Sequence, residues 1–171
     1  KEFLLNTKVS KFVLEACTNF GKTEVVIISI GEYLKLNPNS RILFITHGTL
    51  AIKNNLTNRI NGINVDFTYS TTFEENCQVH ICLPHNEKNI KGHYDLFIMD
   101  EAHEHYFADR VQRIVKTIKP NKQWLMTGTA SKFRRKGGFK IYTFATNQLP
   151  KEYRSNLKVE LVAVKFKLKN K

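Results

Sequence analysis

Short apolar runs that each end in a polar cluster, separated by segments of helix length, constrain this chain more than any other feature of its sequence. Phe12–Ala16, Arg41–Thr46 (RILFIT), Tyr94–Met99 (YDLFIM) and Gln123–Met126 read as strands, with Val65–Tyr69 and Val79–Leu83 as further ones. Between them, Lys22–Leu36, Thr49–Ile60 and Tyr106–Ile118 read as helices. Asn37-Pro38-Asn39-Ser40 ends the first, Asn61-Gly62 is read as a turn, and Pro120 stops the third. Runs that are continuously apolar rather than alternating suit strands buried on both faces. The pattern therefore predicts an α/β fold in three layers, with a mostly parallel central sheet and right-handed crossovers. Ligands of such sheets bind at the carboxyl ends of the strands. Three polar clusters fall there: residues 16–23, 100–103 and 127–129.

A chain of 171 residues is long enough for one domain with a substantial core. Its 27 Lys and Arg against 15 Asp and Glu leave a net charge of +12, which favours a polyanionic partner. No apolar run approaches the roughly 18 residues that span a bilayer, and no N-terminal signal pattern is present. Three cysteines do not make a disulfide framework, and a reducing cytoplasm fits them best. Cys77, Cys82 and His85 have metal-like spacing, but an odd separation along one strand puts the two thiols on opposite faces. His103-Glu104-His105 lacks the H-E-x-x-H pattern of a zinc protease.

The first cluster, Ala16-Cys17-Thr18-Asn19-Phe20-Gly21-Lys22-Thr23, lies between a strand and a helix. Polyphosphate needs inward-pointing backbone N–H groups, a cation and a hydroxyl for Mg2+, and this context supplies all three. Thr18, Asn19, Phe20, Gly21, Lys22, Thr23 and Glu24 are the nucleotide-binding candidates. Lys22 would meet the β- and γ-phosphates, and Thr23 would hold the metal. The strict phosphate-loop pattern fails at its first position, which is Ala16. The second cluster, Asp100-Glu101-Ala102-His103, follows the buried run LFIM. Asp100 offers Mg2+ a hard oxygen, and Glu101 beside it can position or deprotonate water.

These clusters, in this order, resemble the motifs of superfamily 2 helicases. ACTNFGKT resembles motif I, where Ala commonly takes the first position; RILFITHGTL resembles motif Ia; Asp100–His103, DEAH, resembles motif II; and Thr127-Gly128-Thr129-Ala130 resembles motif III. Ile81-Cys82-Leu83-Pro84 is a looser match to motif Ib. The match spans roughly residues 11 to 130, and its order and spacing are similar to phage branch-migration helicases of the UvsW type. It implies a RecA-like P-loop NTPase lobe over residues 1–171, using ATP and Mg2+. Lys22, Asp100, Glu101 and His103 are then the catalytic candidates, Thr23 and Asp100 the metal ligands. His103, with Thr127, Gly128 and Thr129, would couple the γ-phosphate to nucleic-acid binding.

The same resemblance places nucleic acid across motifs Ia and Ib, at Thr46, His47, Gly48, Thr49 and Lys53 and at Pro84, His85, Asn86 and Lys88. The densest basic run adds Lys132, Arg134, Arg135 and Lys136, with Gly137-Gly138 suggesting mobility. DNA is favoured over RNA as the partner. A complete motor also has a second RecA-like lobe with arginine fingers, and nothing after residue 130 resembles one. Residues from about 150 to 171 read as an exit strand and linker toward that lobe, with lysines alternating against Val162, Val164, Phe166 and Leu168. Because an arginine supplied in trans contributes about 10^3–10^5 in rate, residues 1–171 alone are expected to bind ATP weakly and turn it over slowly. The leading reading is the ATP-binding N-terminal lobe of a DNA helicase acting on branched or duplex DNA in recombination, replication or repair. A restriction-enzyme translocase lobe, an RNA helicase, a non-hydrolysing nucleic-acid-binding module and a small-molecule P-loop kinase are the alternatives. The last two are opposed by the intact Lys22, Thr23, Asp100 and Glu101 and by motif III, respectively.

Overall fold

A computed structural model describes residues 9–145, apart from Thr18, Asn19, His47, Thr49, Asn64 and Glu75. The strands are β1 (Lys11–Ala16), β2 (Ile42–Ile45), β3 (Tyr69–Ser70), β4 (Val79–Cys82), β5 (Leu96–Met99), β6 (Lys122–Thr127) and β7 (Lys140–Phe144). They form one sheet in the order β3-β4-β2-β5-β6-β1-β7, and every neighbouring pair is parallel. The helices are α1 (Lys22–Leu36), α2 (Leu50–Gly62), α3 (Ala102–His105), α4 (Asp109–Ile118) and α5 (Ser131–Lys136), with a 3-10 helix at Pro84–Asn89. Among the described residues, no helix is long and apolar enough to cross a membrane.

Two apolar layers sandwich the sheet. On one face Phe12, Phe44, Ile98 and Trp124 pack against Val26, Ile27 and Ile30 of α1 and Leu56 and Ile60 of α2. On the other, Val13, Ile45, Phe97 and Leu125 meet Val111, Ile114 and Ile118 of α4 and Phe133 of α5. Successive side chains of a strand enter opposite layers, so all four residues of β5 are fully buried. Each contributes about 1.5–3 kcal/mol of transfer free energy. The same burial explains α1: Val25, Val26, Ile27 and Ile28 are poor helix formers in isolation, but packing on a sheet outweighs propensity.

Several boundaries differ from the sequence expectation. The strand expected at Val65–Tyr69 shrinks to Tyr69–Ser70, which pairs only with β4 at the sheet edge. The helix expected from Tyr106 begins at Asp109. Tyr106 is nevertheless buried in the turn before it, its hydroxyl donating to Gln123 Oε1 at 2.6 Å and its ring 5.6 Å from that of Phe133. Helical spacing reflected burial there, not helix. Asn61-Gly62 closes α2 rather than forming a separate turn. Cys77 precedes β4 instead of lying in it. The basic run expected to be mobile is α5, anchored by the fully buried Phe133. The segment from about 150 to 171 lies outside the described residues.

One buried histidine has its pKa shifted by the fold. His80 of β4 is 1% exposed, between the Tyr94 hydroxyl at Nδ1 and the Glu74 carbonyl at Nε2, both at 2.7 Å. A carbonyl only accepts, so Nε2 carries the proton and Nδ1 accepts from Tyr94. Burial lowers the His80 pKa, opposed by the Glu74 carbonyl and assisted by the charge of Arg41. A folded-state pKa below the unfolded value means stability is complete above the ordinary histidine range and falls as pH drops through it. Urea midpoints are expected to fall between pH 7 and pH 5, and His80→Gln is expected to flatten that slope. An unchanged slope in the variant would assign it to other groups.

Candidate nucleotide site and the surface beside it

The site forms where β1 gives way to α1 and β5 to α3. Gly21 precedes α1 with φ 79°, a left-handed conformation that disfavours a Cβ although the nearest atom a Cβ would meet is 3.8 Å away. This turn brings Lys22 beneath the loop, 8% exposed, with Nζ donating to the carbonyls of Ala16 (3.0 Å) and Cys17 (3.1 Å). Across from it, Glu101 also adopts a left-handed conformation, φ 44°, without being glycine. Strain of this kind is held by its surroundings and clusters at functional sites. It turns the chain so that the Glu101 N–H donates to Asp100 Oδ1 at 2.9 Å.

Gly21, Lys22, Thr23, Glu24, Asp100 and Glu101 line a single cavity of about 380 Å³, together with Arg59. Two pieces of chain nearly 80 positions apart thus converge, because β1 and β5 both pair with β6 and end at the same edge of the sheet. Burial raises the Asp100 carboxyl above its ordinary range; the Glu101 N–H opposes this, the Glu101 charge adds to it, and Lys22 and Arg59 pull it down. A divalent cation would relieve that burial cost, and Thr23 and Asp100 supply the hard oxygens that Mg2+ prefers. The residues therefore fit a magnesium-bound triphosphate.

The Asp100–His103 and Thr127–Thr129 clusters are joined directly. Thr127 Oγ1 and His103 Nδ1 lie 2.9 Å apart. The Thr127 hydroxyl donates to the Thr129 carbonyl at 2.8 Å and accepts from the Thr129 N–H at 3.1 Å. With its one hydrogen so used, Thr127 accepts from His103, which fixes the Nδ1–H tautomer. Gly128 is exposed between the two threonines.

Other candidates fall elsewhere than the sequence suggested. Thr18, Asn19, His47 and Thr49 lie outside the described residues. The ring of Phe20 packs on Phe144 of β7, with centroids 5.5 Å apart, rather than toward the cavity. Thr46, expected at the nucleic-acid surface, is 1% exposed and lines a second cavity of about 410 Å³ that shares Thr23, Arg59 and Asp100 with the first. Parallel pairing of β2 with β5 places Thr46 beside Asp100. Arg59 was missed altogether: it lies 13 residues after Thr46 on α2, and no local pattern marks it.

Gly48, Pro84 and His85 do meet, in a groove of about 390 Å³ that also takes in His105, Arg110 and Arg113 from the next elements. Glu87 pairs with Arg113 at 2.7 Å and lies 3.9 Å from Arg110. Asn86 caps the 3-10 helix, its Oδ1 accepting from the Leu83 N–H, and Lys88 is exposed. Lys53 is half-buried on α2 near the buried thiol of Cys82. The basic helix α5 divides. Lys132 Nζ donates to the His103 carbonyl at 3.1 Å, Arg134 is committed to Glu15 and Thr143, and Arg135 and Lys136 face solvent. Arg134 is thus an internal tie rather than a phosphate contact.

Known structures share this fold. The chain is similar to the Hef helicase domain of Pyrococcus furiosus, with a TM-score of 0.66, 15% identity, and 86% of this chain covering 37% of that one. It is similar to the UvsW helicase of bacteriophage T4, with a TM-score of 0.64, 13% identity, and 78% of this chain covering 54% of that one. It is also similar to the Sulfolobus solfataricus SWI2/SNF2 ATPase core in complex with dsDNA, with a TM-score of 0.57, 17% identity, and 70% covering 28%. At these identities the likeness shows the fold, and the chain spans between about a quarter and a half of each relative's length. No curated protein matches it. The family described as type III restriction enzyme, res subunit, matches residues 2–132. That is more than half of the chain, which therefore belongs to this family and has the RecA-like fold of a helicase-type ATPase lobe.

Proposed function

We propose that residues 1–171 are the ATP-binding first lobe of an ATP-dependent DNA motor, a helicase of branched or duplex DNA serving recombination, replication or repair. The convergence of Lys22 and Thr23 with Asp100 and Glu101 in one cavity carries the reading. Magnesium, bound with ATP, would supply neutralisation of the phosphate charge. The chain's own groups do the rest. Lys22 exchanges its loop carbonyls for phosphate oxygens, and the Gly21 turn presents α1's N-terminal N–H groups. Thr23 and Asp100 would hold the metal. Glu101 orients water and accepts its proton. The His103–Thr127 hydrogen bond passes the state of the site to the loop ahead of α5.

The groove at Gly48, Pro84 and His85 is the proposed DNA track, with Arg110 and Arg113 on its wall. DNA is preferred to RNA because the SWI2/SNF2 relative was solved with dsDNA and the family is that of a restriction subunit. The latter also favours a second reading, a restriction translocase lobe. Both require a second lobe to complete the ATPase site. ATP turnover by the full-length protein is the test: duplex or branched DNA is expected to stimulate it strongly. Turnover indifferent to DNA and stimulated by a small phosphoryl acceptor would point instead to a kinase. If phosphate contacts dominate, DNA affinity is expected to drop steeply between 50 and 200 mM salt. A flat response in a filter-binding titration would remove the groove as the track.

A further inference from the structure

Resting on the nucleotide site proposed above, we propose that Arg59 is a terminal-phosphate sensor supplied by this lobe itself. In the present structure its guanidinium is parked on Glu24 and is released to the γ-phosphate when ATP binds.

Three observations converge on Arg59. Its side chain borders both cavities beside Asp100, at the junction of the two. Its guanidinium is aimed rather than loose. Nη1 donates to Glu24 Oε1 at 2.7 Å, and Nε donates to Asn55 Oδ1, one helical turn back, at 2.8 Å. The contact crosses from α2 to the first turn of α1, so its partner belongs to the phosphate-binding element itself. Finally, Arg59 shares the wall of the first cavity with Glu101 as well as Asp100. This places its charge at the acidic end of the cavity, where Glu101 would direct water at the terminal phosphate.

The second cavity also offers a guest one open polar group. Thr46 Oγ1 is buried in its wall and has no hydrogen-bond partner among the described residues. A hydroxyl left so costs free energy unless something polar completes it.

The energies favour exchange. The Arg59–Glu24 pair is about half exposed on both sides, at 45% and 41%. Such pairs contribute about 0–1 kcal/mol. A phosphate oxyanion is a stronger partner, because it offers the planar guanidinium two charge-assisted hydrogen bonds in a partly desolvated cavity. Glu24 is then a competitor for Arg59, and the two residues have opposite effects on affinity.

The test is calorimetric titration of ATP analogue (non-hydrolysable), ADP and AMP into the full-length protein carrying Arg59→Gln, Glu24→Gln, both together, or Lys22→Ala. Arg59→Gln is expected to weaken the ATP analogue by roughly ten- to a hundredfold while changing ADP and AMP much less. Glu24→Gln is expected to tighten the ATP analogue, and the double variant is expected to behave as Arg59→Gln. Arg59→Lys, which keeps the charge but not the fork, is expected to recover part of the loss. Thermal unfolding confirms that each variant is folded. If Lys22→Ala abolishes binding while Arg59→Gln matches the wild type, or weakens all three nucleotides equally, the sensor is wrong and the nucleotide site stands. If Lys22→Ala binds like the wild type, the nucleotide site falls, and the sensor with it.

Discussion

Lys22→Ala, introduced into the full-length protein, is expected to lower kcat for DNA-stimulated ATP hydrolysis by about 10^2–10^3-fold or more, the scale seen when one transition-state electrostatic donor is removed. The argument starts from where the ammonium already is. It sits under the loop with two carbonyls as partners, in a cavity that three carboxylate residues also line. On a residue only 8% exposed, its interaction with any incoming phosphate is strengthened, because less solvent screens it. Removing it leaves the Ala16 and Cys17 carbonyls to water, at a cost of about 1 kcal/mol each. The fold should survive this, since α1 is held by Val26, Ile27 and Ile30. DNA binding is therefore expected to persist, with Glu101→Gln as the informative companion: it should retain ATP affinity and lose turnover. Steady-state hydrolysis beside DNA binding reads all three quantities. Joint loss of hydrolysis and DNA binding in Lys22→Ala, with a lowered unfolding midpoint, would mean that the residue is structural.

Glu15 is the second position where a single change has a large expected effect, here on stability. Its carboxylate leaves β1 and collects three separate elements. Ala130 N–H donates to Oε1 at 2.8 Å, Arg134 makes a two-pronged contact from α5, and Thr143 of β7 donates to Oε2 at 2.8 Å. The Arg134 contact, helped by Ala130 and Thr143, holds the Glu15 pKa at about 2. A depressed folded-state pKa contributes stability that is complete above the ordinary carboxylate range and disappears as pH falls toward 2. Glu15→Ala is expected to cost about 2–3 kcal/mol at pH 7, since the buried N–H of Ala130 and the Arg134 charge lose their partner together. By urea unfolding, the gap between Glu15→Gln and the wild type should be wide at pH 7 and shrink as pH falls toward 2. A gap independent of pH would show that side-chain shape, not charge, holds the clamp. Hydrogen exchange should quicken at β7, whose pairing with β1 is at the sheet edge.

Much of this protein was written in its local chemistry. The runs FVLEA, ILFI, LFIM and QWLM are too continuously apolar to face water on either side, and parallel strands covered by helices are the arrangement that satisfies them. Lys22–Leu36 is helix at both of its expected ends, because Gly21 and Asn37 are breakers immediately outside it. The likeness to helicase motifs rested on residue types that phosphate and magnesium chemistry demand, and those residues share one cavity.

Tertiary structure decided what depends on distance in space rather than in sequence. Tyr106 and Phe107 were expected to open a helix but lie in a turn, since an aromatic cluster with Phe133 and Phe139 holds them without one. Thr46 looked like a surface residue of motif Ia until the pairing of β2 with β5 put it inside, next to Asp100. Arg134 looked like one more nucleic-acid contact of the basic run until Glu15, over a hundred residues away, claimed it. Arg59 reaches the cavity at Lys22 and Asp100 because α2 packs beside α1, a relation that no spacing in the chain records. Periodicity and motif chemistry are local and survive in one dimension; which charges meet is set by the packing of helices on a sheet, and only the folded chain contains it.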